Sequence, residues 1–224
     1  VHYVNELWRR TAVPKGLPSR RPSLITDPPD GQVPPLTPAA RQRADAASQA
    51  RRQRGAFDGY ETRPLSERCI VWPHNGPPML PPAYIDIHQI FQTPDYFVML
   101  GEMIHDARVI PIGDMPHIGD SVRQWHGDSR AHWEGDTLVV ETTNYSSKSD
   151  YRGAAEHLHL IERFTLAGPD KLHYERAVTD ATTGTRPGTA MVPLSGSEDA
   201  LFEYACHEGN IGMAGILAGT RVQE

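Results

Sequence analysis

The chain has 224 residues and a formal net charge of −6, which fits one domain with a hydrophobic core and an additional segment. No block or face carries a sustained basic excess, so the composition argues against nucleic-acid binding. No apolar run approaches the roughly 20 residues that a membrane-spanning helix needs, so no membrane span is expected.

Proline dominates the first part of the chain, where residues 1–82 hold 14 of the 20 prolines. Because proline fixes φ and removes a backbone donor, residues 1–36 are predicted to form an extended arm with polyproline character. One helix is expected at residues 38–54, with Thr37 as its cap and Pro38 at its first position. Residues 1–82 are therefore predicted to be a Pro-rich arm, and residues 83–224 a β-domain.

Short β-prone runs separated by turn residues fill the chain from residue 84 onward. About eight successive antiparallel strands favour a closed or nearly closed β-barrel, because closure removes exposed edges, and a β-sandwich is the main alternative. The Gly-rich tail after Asn210 is expected to hold at most a short helical turn. The predicted strands are 84–93, 96–104, 108–112, 129–133, 137–144, 158–166, 172–179, 185–192 and 201–206.

Two cysteines, Cys69 and Cys206, lie far apart and outside any zinc-binding spacing. A long-range disulfide between them would fit a periplasmic or secreted protein, and this is the favoured interpretation. Two buried thiols in a cytosolic protein remain the alternative.

The run from Thr182 to Thr189 places one cation between two glycines. If it is a strand, Gly184, Arg186 and Gly188 share one face, because alternate side chains point the same way. The planar guanidinium group of Arg186 suits a carboxylate, and the glycines leave room for a bulky group. These three residues are therefore predicted to bind substrate. A Gly/Pro bulge at a sheet edge is the alternative.

Acid–base chemistry is suggested by histidines that fall inside predicted strands. His105 and His159 are the candidate bases, Glu141 or Glu162 could pair with His105 across the barrel, and Tyr151 could act as an acid. Arg163 and Trp133 are expected to contact the substrate. A structural role for each histidine is the alternative.

Other chemistries have weaker support in the sequence. Ser129 lacks the GxSxG context of a hydrolase nucleophile. No GxGxxG, P-loop or PLP-type lysine context is present, so no cofactor is expected. No metal site is predicted, although several histidines could assemble one with nearby carboxylates, namely His126, His132, His157, His159 and His207.

Six segments together resemble a large, mostly uncharacterised family of bacterial proteins, common in acidobacterial and sphingomonad-type genomes and usually carrying an export signal. The resemblance implies a lipocalin-like barrel and covers most of residues 20–224, but it implies no settled activity. The matching segments are 63–69, 102–108, 127–130, 133–144, 162–164 and 206–210.

One departure from that family pattern bears on substrate choice. Where this chain has Gly184 and Gly188, proteins of this type commonly carry two tryptophans around the same arginine. If this face lines the lumen, the change makes room for a larger, aromatic ligand whose anionic group meets Arg186.

These features lead to a functional hypothesis. The chain is predicted to be a cofactor-independent lyase that performs elimination, decarboxylating ring opening or isomerisation on a bulky aromatic acid, for which lignin-derived compounds are one candidate group. A lipocalin-like binding protein for a hydrophobic anion is the first alternative, and a metal-dependent hydrolase or oxidase is the second. A homodimer formed through the N-terminal arm is also expected.

Overall fold

The computed structural model describes residues 4–10, 23–55, 57–81, 87–149 and 151–223, with the backbone alone described for 4–10 and 223. These described residues form two helices, α1 at Pro38–Gln53 and α2 at Ile211–Gln223, and single 3-10 turns at Tyr60–Thr62 and Met103–His105. The strands are β1 (Val4–Arg10), β2 (Ile25–Asp27), β3 (Ile87–Gln92), β4 (Tyr96–Gly101), β5 (Ala107–Pro111), β6 (Asp128–Glu134), β7 (Thr137–Thr143), β8 (His159–Gly168), β9 (Lys171–Thr179) and β10 (Gly188–Gly196).

The strands form antiparallel blocks, β3–β5 and β6–β10, which β1 joins by pairing with both β3 and β10. The strand path runs β5-β4-β3-β1-β10-β9-β8-β7-β6, and β2 adds to β10 outside this path. The end strands β5 and β6 approach each other through an isolated bridge between Ile112 and Ala131. The mainly β, antiparallel architecture is therefore confirmed, whereas the described strands do not close into the predicted barrel.

The sheet buries one face, and alternation along the strands decides which side chains it receives. In β8, Leu160, Glu162 and Phe164 are buried, while His159 and Arg163 lie on the other, more exposed face. The buried face forms a core in which the Phe164 ring packs at 5.2 Å from Phe97 and 5.1 Å from Tyr174. The core thus fills the space between the two blocks.

The predicted helix at residues 38–54 is present as α1. Its cap forms as expected, because the Thr37 hydroxyl accepts a hydrogen bond from the Ala40 N–H at 3.1 Å. Seven predicted strands match β3 to β9, apart from small shifts at their ends and residues 84–86, which lie outside the described residues.

Two strand predictions need correction. The run 185–192 becomes β10 only from Gly188 onward, because residues 181–183 form a turn and residues 185–186 a bend. Residues 201–206 form no strand, because side chains take the place of a ladder partner: Phe202 N–H donates to Glu102 at 3.2 Å and Tyr204 N–H to His105 at 3.0 Å. The short turn expected in the tail is the 13-residue helix α2.

The N-terminal region is built into the sheet. Residues 23–37, which we call the strap, include β2 and lie along β10 and the turn before it. Besides the pairing of β2 with β10, three backbone hydrogen bonds hold the strap there, from Met191 to Leu24, from Thr185 to Pro35 and from Thr37 to Thr183. The rest of the predicted arm, residues 1–3 and 11–22, lies outside the described residues.

Candidate functional site

Three adjoining cavities lie at the end of the sheet where β9 leads into β10 and where β5, β6 and β8 begin. Their volumes are about 130, 300 and 450 Å³. Tyr151, Arg152 and Ala154 line both the first and the second cavity, and Trp125 and His126 line both the second and the third. We call these three neighbouring cavities, which share lining residues, the groove.

The first cavity contains the Gly184-Arg186-Gly188 group. All three residues line it, although they do not share one strand. Gly184 makes an isolated bridge with Leu36, a bend carries Arg186, and β10 begins at Gly188. The residues that alternation placed on one face are thus brought together by a bend and a strand start.

The strap fills part of the space that the glycines leave. A Cβ at Gly188 would lie 3.1 Å from Pro34 Cδ, and a Cβ at Gly184 would lie 3.2 Å from the Arg186 carbonyl oxygen. Both positions are therefore tight, and the strap is one wall of the first cavity rather than a distant cover.

The charge available to a ligand in the first cavity is positive. Arg186 is half exposed, and its one ion pair among the described residues is with Asp30 at 3.5 Å. This contact is exposed and therefore holds the guanidinium group only weakly. Arg176 is buried and donates to the Met79 carbonyl at 2.6 Å. The Asp180 carboxylate is occupied by its own turn, since it accepts from Thr182 N–H at 2.8 Å. Arg186 and the exposed Arg152, which also lines this cavity, are therefore the cations available to an incoming anion.

Aromatic side chains form the walls of the second cavity, including Trp72, Trp125, Tyr145 and Tyr151. Tyr145 is buried, and burial, aided by the nearby Glu162 charge, raises the pKa of its phenol well above 10. Flat, partly polar rings of this kind suit the stacking of an aromatic ligand.

A histidine and a carboxylate meet where the second and third cavities adjoin. His126 Nε2 lies 3.2 Å from Asp106 Oδ2, and both side chains are about one-fifth exposed. The contact lacks the alignment of a hydrogen bond, so it is a charge pair in which the carboxylate would stabilise a protonated imidazole. The turn that presents His126 requires Gly127, because φ there is +68° and a Cβ would lie 2.4 Å from the Thr143 carbonyl oxygen.

Several predicted site residues lie elsewhere. His159 and Glu141 do form a pair, with Nε2 and Oε1 2.6 Å apart, but β8 sends His159 to the face opposite the core. Arg163 shares that face and donates to Glu134 at 2.6 Å. None of these residues lines the groove.

His105 and Trp133 also lie away from the groove. His105 has a left-handed φ of 55° and is exposed, and its Nε2 is occupied by a hydrogen bond from Tyr204 N–H. Glu162 pairs with Arg108 and not with His105. Trp133 lies at the opposite end of the sheet, where it lines a different cavity. Of the predicted catalytic residues, the structure places Tyr151 in the groove.

Sequence reasoning missed the His126–Asp106 pair. Residues 124–133 stood out as rich in polar and aromatic side chains, and Asp106 was noted beside His105. The pairing depends on how the 113–127 loop returns to the start of β6, which no local pattern shows.

Within the described ranges, no group of three or more His, Cys, Asp or Glu side chains is arranged to hold a metal ion. The two described helices include none that is long and apolar enough to cross a membrane. Comparisons with protein-family models, with curated proteins and with solved structures find no match.

Proposed function

We propose that the chain is a cofactor-independent, lyase-type enzyme that acts by acid–base chemistry on a bulky aromatic carboxylic acid. The observation that carries the proposal is the groove itself, which has Arg186 at one end, the His126–Asp106 pair towards the other, and aromatic walls between them. A pocket with apolar walls and a few convergent polar groups is the usual form of a small-molecule site.

The cavity volumes support a ligand with two rings. An apolar cavity of about 150 Å³ can hold one benzene-sized ring. The first cavity, at about 130 Å³, has room for one ring near Arg186, and the second, at about 300 Å³, for another against Tyr145 and Trp125. Lignin-derived aromatic acids with two rings belong to this class.

The proposed reaction is an elimination. His126 takes a proton from carbon, the C–H electron pair forms a carbon–carbon double bond, and the bond to the leaving oxygen breaks with its electrons on oxygen. Tyr151, which lines both the first and the second cavity, donates a proton to that oxygen. Asp106 stabilises the protonated imidazole, and proton return from His126 to Tyr151 through solvent resets both groups.

A non-catalytic, lipocalin-like carrier of a hydrophobic anion is the second candidate. It is favoured by the first cavity, where Arg176 and Asp180 are already engaged by protein groups and do not form an acid–base pair. The approach of β5 and β6 near Ile112 and Ala131 is compatible with a barrel that is completed around a ligand.

Turnover by the wild-type protein separates the two candidates. Two-ring aromatic carboxylates are incubated with the protein in the presence of a chelator, and products are followed by liquid chromatography and mass spectrometry. His126→Gln should abolish product formation and retain ligand binding, whereas His132→Gln, on an exposed residue outside the groove, should retain both. Binding without turnover by the wild type would favour the carrier.

We also propose that the protein is periplasmic or secreted, and the support is the Cys69–Cys206 disulfide, because such bonds persist in oxidising compartments. Thiol alkylation in intact producing cells tests this proposal. Labelling of both cysteines without prior reduction would contradict it.

A further inference from the structure

A second hollow lies at the opposite end of the sheet from the groove, beside the β3–β4, β6–β7 and β8–β9 turns. Its volume is about 590 Å³, and apolar side chains such as Phe97, Leu138 and Phe164 form its floor. Trp133 and Leu166 line it and are 46% and 59% exposed. Large exposed apolar side chains around a concave surface are typical of an interaction site.

The rim of this hairpin-end hollow is acidic. Asp136 lines the hollow, and the exposed residues Asp95 and Asp170 lie in the neighbouring turns. Lys171 is also exposed there, and the Glu134 charge is shared with Arg163. The excess of carboxylates favours a positively charged partner.

Helix α1 has the complementary character. Five arginines and one aspartate give residues 38–54 a net charge of +4. The whole chain has a net charge of −6, so the other residues together carry −10. Residues 41–47 and 49–53 are all exposed, and the side-chain contacts of α1 with the sheet are made near its start, where Arg43 donates to the Thr182 carbonyl at 2.9 Å. An isolated helix of this length is marginally stable in water, so packing against a partner would stabilise it.

The two surfaces do not meet within one copy of the chain, because no residue of α1 lines the hollow. Helix α1 begins beside the turn that follows β9, whereas Asp170 lies in the turn that precedes β9. Nine strand residues, or about 30 Å at 3.3 Å per residue, separate these ends. Both surfaces are exposed in the single chain, so each is available to another molecule.

We propose that α1 of one copy binds the hairpin-end hollow of a second copy. The exposed alanines at positions 44 and 47 would allow close approach to Trp133 and Leu166, and Arg51, one turn further along, would face Asp136. Because the interface joins two different surfaces, it is head-to-tail and generates short chains or a ring rather than a two-fold dimer.

Sedimentation velocity and native mass spectrometry at rising concentration test this proposal. The wild type should associate, and raising the salt concentration from 50 to 500 mM should weaken the association, because exposed charges are screened. Arg51→Glu and Asp136→Lys should each raise the dissociation constant at least tenfold. Arg52→Glu makes the same charge change about 100° around the helix and should have a smaller effect.

Mixing the two variants gives the decisive result. The carboxylate introduced by Arg51→Glu would face the ammonium group introduced by Asp136→Lys. The unchanged helix of the second variant would meet the unchanged hollow of the first, so an equimolar mixture should recover association as alternating chains or rings. Failure of the mixture to associate, or a wild type that stays monomeric at several hundred micromolar, would overturn the proposal. Binding of a monomeric wild type, but not of Arg51→Glu, to vesicles containing anionic lipid would also overturn it and would assign α1 to a membrane surface.

Discussion

Arg108 and Glu162 form a two-pronged ion pair inside the sheet, with guanidinium–carboxylate distances of 3.2 and 2.7 Å. Burial alone would lower the pKa of Arg108, but the Glu162 carboxylate outweighs this effect and raises it. Tyr174 donates to the same carboxylate at 2.8 Å and accepts from the Met79 N–H at 2.9 Å. The pair therefore belongs to a polar network that ties β5, β8 and β9 to the 71–81 loop.

Glu162→Gln should destabilise the fold by about 3–5 kcal/mol, because it leaves the buried Arg108 charge without its counter-charge. Urea unfolding followed by circular dichroism measures the change. Glu134→Gln removes one partner of the exposed pair with Arg163 and should change the free energy of unfolding very little. Equal losses for the two variants would show that the buried network has no special role.

The stability of the protein should fall in acid, and Asp128 should account for part of the loss. Burial opposes ionisation of Asp128, but hydrogen bonds from His117, Ile118 N–H and Arg130 outweigh it and lower its pKa below the usual range of an aspartate. A folded pKa below the unfolded one means that this stabilisation is present above about pH 4 and is lost as the pH falls through the folded value.

Melting temperatures of the wild type and Asp128→Asn between pH 7 and pH 2 test this expectation. The variant should be less stable at pH 7, and the two curves should converge in acid. A constant difference between the curves across the range would contradict the assignment to Asp128.

Breaking the disulfide should cost about 2–5 kcal/mol, because Cys69 and Cys206 are 137 residues apart and their link restricts the unfolded chain strongly. The sheet should persist, since neither cysteine lies in a strand. Thermal unfolding with and without dithiothreitol measures the loss. Dithiothreitol should have no further effect on Cys69→Ser/Cys206→Ser, and an equal shift in that variant would point to a cause other than the disulfide.

Gly184→Trp should block two-ring ligands while leaving the fold intact, because the indole would enter the first cavity beside Arg186. The neighbouring carbonyl at 3.2 Å must yield by a few tenths of an ångström, so a small loss of stability is expected. Gly119→Trp is the matched control, since a Cβ at Gly119 meets nothing within 4 Å and the residue lies outside the groove. Unchanged ligand affinity in Gly184→Trp would exclude the first cavity as a binding site.

Local patterns predicted most of the strands and α1, because alternation and capping act over a few residues. The register between neighbouring strands could not be predicted from the sequence, and it decides which polar side chains face the core. In β8 the buried positions go to Leu160, Glu162 and Phe164, and His159 therefore faces away from the core. The histidine chosen from the sequence and the one in the groove consequently differ.

Tertiary contacts explain the other misses. Residues 201–206 have a strand-like composition. However, the backbone N–H groups of Phe202 and Tyr204 donate hydrogen bonds to side chains and not to a neighbouring strand. Helix α2 contains three glycines, which lower helix propensity, so the sequence did not predict a helix of this length. The Gly184-Arg186-Gly188 group was predicted from the sequence because its composition is unusual. The wall that the strap forms beside it was not predicted.

In the proposed site, Arg186 anchors the anionic group of an aromatic ligand in the groove. Isothermal titration calorimetry should compare an aromatic carboxylate with its neutral carboxamide, using the wild type, Arg186→Gln and Arg163→Gln, the last on the outer face of the sheet. We predict that the wild type and Arg163→Gln prefer the carboxylate about tenfold, equivalent to about 1.4 kcal/mol, and that Arg186→Gln loses this preference. A tenfold preference that survives in Arg186→Gln would contradict the claim.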